Sequence, residues 1–509
     1  MLQFLERVGG FFPAAIALGL PVVFIPILGD LYILPRASIV IAGACLGTGL
    51  ALLTPANHGL GALRWPLLAA AAAAVLAFGF SVSWPLSLIG SYTRYESLPT
   101  RLSYLGLLAS AAWLIRSDVQ RRVLVAGYVA GCSIAALQAL GMAFGHVPFR
   151  PDGNLGNANL LAALLVMAIA LAIDQARRAD EWWIAAWSAG IVVMGGGLFV
   201  TTSRSGGLAV VAGVAVLIVF SVPRRLAVPS AAVGAALMVV AAGVVQVFLN
   251  RLNSDPAELR LGLWRDGLHL VAARPLTGWG EDTTGLVFGR HLSQDYAALV
   301  TFDRIHSGPL DVAAMQGILG LAATGLVVAI VLVRAWRNRD QPGVPGLAAA
   351  LAAYSVWVLF NFDWSPATGA FWLLAGVLWS AVSPPPAVDG VRVRGAIWRP
   401  ALAVVLALAV VPLAVFPVLA DAWYVKGRAD LAVQVDPLQA EYHWAVGTLE
   451  ELRRAADLGE TDPGLYVELG DAELRAGNRA AAVKAYRRAL EIDPYYTPAS
   501  QRLRSMLPG

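Results

Sequence analysis

Thirteen long apolar runs follow one another from the N-terminus to about residue 420, and no other feature of the sequence restricts the fold so strongly. Most of them approach the ~20 residues that a helix needs to cross the hydrocarbon core of a bilayer. Hydrophobic residues make up 58% of the 509 positions and charged residues only 14%, whereas soluble domains have about 25% charged residues. The sequence therefore predicts an all-α, polytopic membrane protein of about thirteen transmembrane helices.

The apolar runs and the arginines between them predict the topology. The runs lie at about 11–28, 37–54, 66–83, 102–115, 123–144, 159–173, 183–202, 206–221, 228–249, 310–333, 346–361, 366–382 and 401–420. With the N-terminus in the cytoplasm, every predicted cytoplasmic loop is basic, as the positive-inside rule requires. The arginines of these predicted cytoplasmic loops are Arg64, Arg116, Arg121, Arg122, Arg177, Arg178, Arg224, Arg225, Arg334, Arg337, Arg339, Arg392, Arg394 and Arg399. We expect a multi-pass protein of the bacterial inner membrane with its C-terminal part outside.

The sequence divides into an apolar membrane part and a charged C-terminal part. We expect residues 1–420 to form the membrane domain, with outer loops at 84–101, 145–158 and 250–308. Residues 421–509 are charged and alanine-rich, and 462–494 resembles one tetratricopeptide repeat, a helix–turn–helix of 34 residues. The matching positions are Leu469, Gly470, Ala482, Tyr486, Ala489 and Pro494. One repeat cannot bury its own face, so this extracytoplasmic part should pack on neighbouring helices, on the membrane domain or on a protein partner.

Several classes of function are excluded by missing motifs. The sequence contains no GxxxxGK[ST] phosphate loop, no HExxH and no GxSxG. Its two cysteines, Cys45 and Cys132, lie in apolar runs and give neither a disulfide framework nor zinc spacing. The basic residues follow the membrane instead of forming one patch, so we expect no nucleic-acid partner, and nothing predicts a cofactor.

Eleven arginines occupy outer positions that the positive-inside rule does not favour. They are Arg36, Arg94, Arg101, Arg150, Arg204, Arg251, Arg260, Arg265, Arg274, Arg290 and Arg304. Arg204 stands in TTSRSGG between two apolar runs, where a charge near hydrocarbon is costly. It either extends to the outer headgroups or forms an anion site together with the free N–H groups that begin the next helix.

The outer segment 258–275, ELRLGLWRDGLHLVAARP, is amphipathic, with Arg260 and Trp264 four residues apart on one face. It is either an interfacial helix whose charges face water or a cover over an outward cavity to which Arg260 points.

His306 lies at the outer mouth of a span, with Asp303 and Asp311 on either side in sequence. It is either a passive interface residue or a general base for an acceptor hydroxyl, since imidazole titrates near neutral pH. Either aspartate could fix its tautomer.

Glu281 and Asp282 form the adjacent acidic pair of the outer segments. We interpret the pair as a solvated turn after Gly280, with a cation site as the alternative. No metal site is otherwise expected.

These stretches together resemble the O-antigen ligase and polymerase superfamily, which includes Wzy-type polymerases and bacterial O-oligosaccharyltransferases. Further similar passages are SLIGSYTR at 87–94, GNANLLAAL at 156–164, and Arg260–x–x–x–Trp264 followed by PLTGWG at 275–280. His306 begins a block similar to HNxxL, in which Ser307 replaces Asn, and Ala158 stands where Pro is common. The resemblance covers about residues 80–330.

The resemblance implies a GT-C-like, metal-independent, inverting glycosyltransferase with an undecaprenyl-diphosphate glycan as donor. Arg204 and Arg260 would hold the diphosphate, with Arg94 and Arg265 as further donor-binding residues, and His306 would activate the acceptor hydroxyl. The acceptor would be a core sugar, a second lipid-linked unit or a protein hydroxyl. From another class, a polysaccharide or lipid transporter remains an alternative, although transporters usually show internal repeats and polar residues within their spans.

Overall fold

The computed structural model describes residues 9–54, 60–249, 257–297, 300–383 and 398–506. All regular structure in these ranges is helical, and no strand occurs among them. The all-α prediction is therefore confirmed. Arg251, one of the eleven outer arginines, lies outside the described residues.

Ten helices in the described ranges are long and apolar enough to cross a membrane. They are Ile33–Leu53, Gly61–Gly79, Asp118–Phe144, Ala158–Ala176, Glu181–Val200, Arg204–Ser221, Arg224–Val244, Gly308–Arg337, Ser365–Val382 and Trp398–Val425. This polytopic arrangement is the one that the sequence predicts.

The other three of the thirteen predicted spans are also helices, but they are shorter or more polar. Phe12–Val22 and Val344–Val358 are apolar but contain only 11 and 15 residues. Leu98–Leu114 has 17 residues and begins with a polar turn that includes Arg101. At about 1.5 Å per residue, none of them alone reaches the ~30 Å of the hydrocarbon core. The described part of the chain therefore contains fewer than thirteen full-length spans.

Contacts between helix ends separate the predicted cytoplasmic loops from the predicted outer loops. At one end Arg339 donates to Val219 O at 3.0 Å, and Arg399 donates to Thr54 O at 3.2 Å. The opposite end has outer-loop contacts such as that of Arg150 with Thr201 O at 2.7 Å. Each of these contacts joins segments that the arginine pattern places on the same side, while the alternation of all loops and the side that faces the cytoplasm stay predictions.

The Gly308–Arg337 helix is broken at Gly317, whose φ is 68° and ψ −176°. The segment 275–280 enters the break, where the N–H of Trp279 donates to Ala314 O at 2.9 Å. A Cβ on Gly317 would collide with the backbone of that segment, so the close approach requires glycine. The about 20 residues after the break suffice to cross the bilayer. The residues before it belong to the outer mouth.

The final membrane helix continues beyond residue 420 and ends at Val425. Asp421, the first residue of the charged part, is buried and accepts hydrogen bonds from Gly29 N at 2.7 Å and Tyr92 Oη at 2.7 Å. The change in composition at residue 421 therefore precedes the end of the helix. Shorter helices follow at Ala429–Val435, Ala440–Val446, Leu449–Leu458, Pro463–Arg475, Arg479–Ile492 and Thr497–Met506.

These C-terminal helices share one hydrophobic core with the outer segments. Leu286 and Phe288 of the outer segment pack in the same cluster as Leu452 and Ile492. The C-terminal helices and the 257–308 segment therefore lie on the same side of the membrane domain. Pro463–Arg475 and Arg479–Ile492 form a helix–turn–helix, and its assignment as a tetratricopeptide repeat stays a prediction.

Candidate functional site

A short loop at 359–364, LFNFDW, connects the Val344–Val358 and Ser365–Val382 helices and lies beside the predicted outer segments. Its Phe360 carbonyl accepts a hydrogen bond from Arg260 at 3.0 Å. Its Asn361 amide donates to Ser205 Oγ at 2.9 Å. The loop thus connects two arginine-bearing segments that are far apart in sequence.

Arg260 and Trp264 lie on the Ala257–Ala273 helix and face this loop. The Trp264 ring is 5.9 Å from the Phe360 ring, and its Nε1–H donates to the His306 carbonyl at 3.2 Å. Both side chains are partly buried. The helix therefore packs on this loop and directs Arg260 toward it. That it covers an outward cavity, the second of the two alternatives, stays a prediction.

His306 lies beside the same loop. Its ring centroid is 5.3 Å from that of Phe362 and 6.2 Å from that of Phe302, and both contacts are edge-on. Its backbone has a φ of 60°, which is uncommon for a residue with a side chain. Asp311 accepts from the Ile305 N–H at 2.8 Å. Which aspartate orients the imidazole therefore stays open.

Arg94 reaches the loop from the other side. Its guanidinium forms two hydrogen bonds with the Asp303 carboxylate, at 2.6 and 3.2 Å, and lies over the Phe362 and Trp364 rings, 5.0 and 5.4 Å from their centroids. Burial opposes ionisation of Asp303, but Arg94 and Arg304 hold its pKa well below its usual range. Arg94 is thus engaged in an ion pair beside His306.

Arg204 begins the Arg204–Ser221 helix. The Ser203 hydroxyl caps this helix by accepting from Gly206 N at 3.2 Å, and Ser205 is the residue that Asn361 contacts. The helix N-terminus, where the dipole is positive, therefore lies beside the 359–364 loop, and Arg204 is its first residue. Arg204 itself is partly buried.

Arg265 points elsewhere. Its side chain is 66% exposed and contacts Ser293 Oγ at 2.9 Å and Asp266 at 3.7 Å. These contacts do not connect it with the 359–364 loop. The structure thus gathers the segments of Arg94, Arg204, Arg260 and His306 at this loop, and Arg265 stays on its margin.

A buried charge cluster lies next to the loop, and sequence reasoning missed it. Asp363 forms a salt bridge with Arg101 at 2.7 Å, and Arg101 also lies 3.5 Å from Glu281 and 3.8 Å from Glu96. Burial raises the pKa of Glu281, and it raises that of Glu96 to about 8. The Arg101–Asp363 ion pair therefore fixes one side of the loop by a contact that is largely shielded from water.

Glu281 and Asp282 are not a solvated turn, so that interpretation was wrong. Both side chains are at most 1% exposed. Glu281 accepts from Gln316 Nε2 at 2.6 Å, and Asp282 is paired with buried Arg304. Turn chemistry after Gly280 did not predict this because burial depends on the 275–280 segment entering the broken helix. The described residues contain no group of three or more His, Cys, Asp or Glu placed to hold a metal ion.

Unusual backbone conformations mark the same region. Six non-glycine residues in the described ranges have positive φ: Thr93, Tyr95, His146, Thr202, Asp282 and His306. Apart from His146, each is one of the site and cluster residues or lies within two positions of one. Strain of this kind persists where the surrounding structure holds it, and it is concentrated at functional sites.

Asn361 and Asp363 are the site residues that sequence reasoning overlooked. A signal existed, because an amide stood at the end of one apolar run and a carboxylate in the very short predicted outer linker that follows it. Polar residues at such a depth are expensive unless they have partners. That cost identifies the linker, but the partners become visible only in three dimensions.

Residues 189–325 match the family described as O-antigen ligase (Wzy_C). No curated protein matches the chain. The matched region is a little over a quarter of the chain and includes Arg204, Arg260, His306 and the 275–280 segment, while Arg94 and the 359–364 loop lie outside it. The match supports placement in the O-antigen ligase superfamily and suggests a role in glycan transfer or polymerisation.

Proposed function

We propose that this protein transfers a glycan from an undecaprenyl-diphosphate donor to an acceptor hydroxyl on the outer face of the bacterial inner membrane, as an O-antigen or exopolysaccharide ligase or polymerase. The observation that carries the proposal is the 359–364 loop, which connects the Arg204 helix, Arg260 and His306. These residues come from three separate segments, and all three lie within the family match.

The two arginines supply positive charge for the donor. A diphosphate is anionic when it binds, and it gains charge as the sugar leaves it. Preorganised cations at a partly buried site stabilise that developing charge more than water does. Arg204 adds a helix N-terminus, whose free N–H groups favour anions.

His306 acts on the acceptor. The acceptor oxygen forms a bond to the anomeric carbon while the bond from that carbon to the diphosphate oxygen breaks. The hydroxyl proton passes to the imidazole, and the bonding electron pair leaves with the undecaprenyl diphosphate. Attack opposite the leaving group inverts the anomeric centre. The aromatic contacts with Phe302 and Phe362, and the Trp264 hydrogen bond to the His306 carbonyl, support a fixed position for this base.

The reaction is proposed to need neither a divalent cation nor a cofactor. Glu281 and Asp282, the rival cation ligands, already have buried partners in Gln316 and Arg304. Charge stabilisation then belongs to the arginines alone.

The test is transfer by purified protein in lipid nanodiscs supplied with a lipid-diphosphate glycan. We expect a new glycoside, release of the lipid diphosphate, and turnover that persists in EDTA. Loss of turnover in EDTA with rescue by Mg²⁺ would reassign the chemistry to Glu281 and Asp282. Folded protein that moves the lipid across a vesicle membrane without forming a glycoside would favour the transporter alternative.

The orientation has its own test. A cysteine at exposed Ala480, in a background lacking Cys45 and Cys132, should react with an impermeant maleimide in cells whose outer membrane alone is permeable. A cysteine at exposed Asp180, in a predicted cytoplasmic loop, is the matched control and should react only after lysis. The reverse pattern would place the site on the cytoplasmic side and contradict the proposed function.

A further inference from the structure

A cavity of about 260 Å³ lies between the outer loops of the membrane domain and the C-terminal helices. We call it the interdomain cavity. Tyr92, Arg94 and Asp303 line it from the membrane domain, and Glu441, Trp444 and Glu460 line it from the C-terminal helices. Neither part of the chain forms this cavity without the other.

The wall of the cavity is rich in carboxyl groups. Four acidic residues line the cavity, Asp303, Glu441, Glu460 and Asp462, together with one arginine, Arg94, which is already paired with Asp303. Burial raises the pKa of Glu441, and it raises that of Glu460 to about 7. Even with Glu460 half protonated, more acids than bases surround this space. Such a field disfavours an anionic diphosphate and favours groups that donate hydrogen bonds, because carboxylates only accept them.

Two aromatic residues in the wall are held by their polar ends. The Trp444 indole N–H donates to Glu468 at 2.7 Å, and the Tyr92 hydroxyl donates to Asp421 at 2.7 Å. Rings fixed in this way provide apolar surface among acceptor oxygens. A sugar ring matches that combination, since it has C–H faces and a rim of hydroxyl donors. The described residues here do not form a cluster of the kind that holds a metal ion.

The cavity adjoins the candidate site through shared side chains. Arg94 lines the cavity and lies over the Phe362 ring, and Phe362 contacts the His306 ring. Asp303 also lines the cavity, and His306 is close enough to lower its pKa. A group in the cavity is therefore about two side chains away from the imidazole.

We propose that the interdomain cavity is the acceptor subsite and that it binds a neutral sugar unit of an acceptor glycan. The inference rests on the proposed function and specifies its acceptor as carbohydrate. Its volume is below the roughly 300–1,000 Å³ of sites for drug-sized ligands, so it suits about one sugar ring. Donor and acceptor are then separated by charge: Arg204 and Arg260 belong to the donor side, and the acceptor cavity has a wall rich in carboxyl groups in which Arg94 is paired with Asp303.

The test compares acceptor and donor kinetics in three variants. Trp444→Ala removes the ring, and Glu441→Gln removes a charge while its amide oxygen can still accept from Tyr424 Oη. We expect the acceptor KM to rise by about tenfold or more in both variants, with the donor KM and saturated kcat within about twofold of wild type. Tyr495→Ala, an exposed aromatic of the same helical part, is the matched control and should behave as wild type.

A conservative variant separates stacking from structural support. Trp444→Phe keeps a ring but loses the hydrogen bond to Glu468, and it should retain most of the acceptor affinity. An acceptor KM at the wild-type value in both Trp444→Ala and Glu441→Gln would overturn the inference. Transfer to a basic peptide that is lost in Glu441→Gln, without transfer to glycan, would also overturn it and indicate a protein acceptor.

A binding measurement keeps the inference distinct from the proposed function. The probe is the oligosaccharide released by mild acid from the lipid-linked pool, and its binding to the full-length protein is followed by saturation-transfer NMR. If wild type catalyses no transfer, the proposed function fails. Loss of oligosaccharide binding in Trp444→Ala would then still support the cavity as a sugar site, and unchanged binding would remove it.

Discussion

Two groups of outer arginines look alike in sequence and differ in the structure. Arg36 and Arg304 are at most 1% exposed. Arg36 donates to three backbone carbonyls, those of Leu20, Tyr32 and Asn154, at 2.7 to 2.9 Å. Arg204 and Arg260 are only partly buried and lie around the 359–364 loop.

The difference shows that an unexpected outer arginine in the sequence indicates a role for its charge. The sequence does not show whether that role is structural or ligand-binding. Where the guanidinium is fully buried among acceptors, its task is to hold segments of the fold together. Where it remains partly accessible beside a helix start and a histidine, it can meet a ligand. The following variants test this division, from the largest expected effect to the smallest.

His306→Ala should lower transfer by about 10²–10⁴-fold, the loss expected when a general base is removed. Donor binding should stay near the wild-type level because the arginines are unchanged. The measurement is single-turnover transfer and donor binding on purified variants normalised for folded protein. Near-wild-type transfer would show that His306 is not the general base. Arg204 and Arg260 would then be the remaining candidate site residues.

Arg304→Ala should abolish folding rather than slow transfer. It leaves the buried Asp282 carboxylate without its ionic partner, which costs about 3–5 kcal/mol. The readout is the monodisperse fraction and the unfolding midpoint in detergent. The double variant Arg304→Ala/Asp282→Ala should recover part of the loss, since it removes the unpaired charge. A well-folded Arg304→Ala protein with no activity would show that Arg304 acts in transfer. It would contradict the division between buried structural arginines and accessible ligand-binding ones.

Arg204→Ala and Arg260→Ala should both fold but raise the donor KM and lower kcat together, each by about tenfold or more, because a diphosphate is charged in the ground state and more so on leaving. Lysine at either position should restore only part, as an ammonium cannot make a two-pronged contact. Arg290→Ala is a matched control, since this arginine pairs with Glu491 on the exposed surface. Full rescue by lysine would show that a single positive charge, without a two-pronged contact, is enough for donor binding and transfer.

Glu460 gives the smallest effect, a pH dependence of stability. Its pKa in the folded protein is about 7, raised by burial and by Glu441 and Asp462, although the N–H groups of Thr461 and Asp462 oppose the shift. The protonated form is thus favoured on folding, and stability should fall as pH rises from about 4.5 to about 7, by about 1–3 kcal/mol. Glu460→Gln should flatten this part of the profile in thermal unfolding scans. An unchanged slope would show that Glu460 ionises normally in the folded state.

Much of the membrane architecture could be predicted because apolar runs report directly on lipid-facing and buried helices. The break at Gly317 could not, since the run through it is continuous and the inserted 275–280 segment is a tertiary contact. Arg204, Arg260 and His306 were selected by their resemblance to a family pattern. Asn361 and Asp363 were missed because their roles depend on partners more than 100 positions away.

The core that the C-terminal helices share with the outer segment has a consequence for how the protein is made. Leu286 and Phe288 find part of their packing in residues that the ribosome adds well over 100 positions later, such as Leu452 and Ile492. Until those residues have been synthesised and have joined them, the 257–308 segment lacks part of its support. The candidate site is therefore completed only after the helices up to Ile492 have been synthesised and have docked, so a shorter nascent chain lacks part of the packing that holds the site.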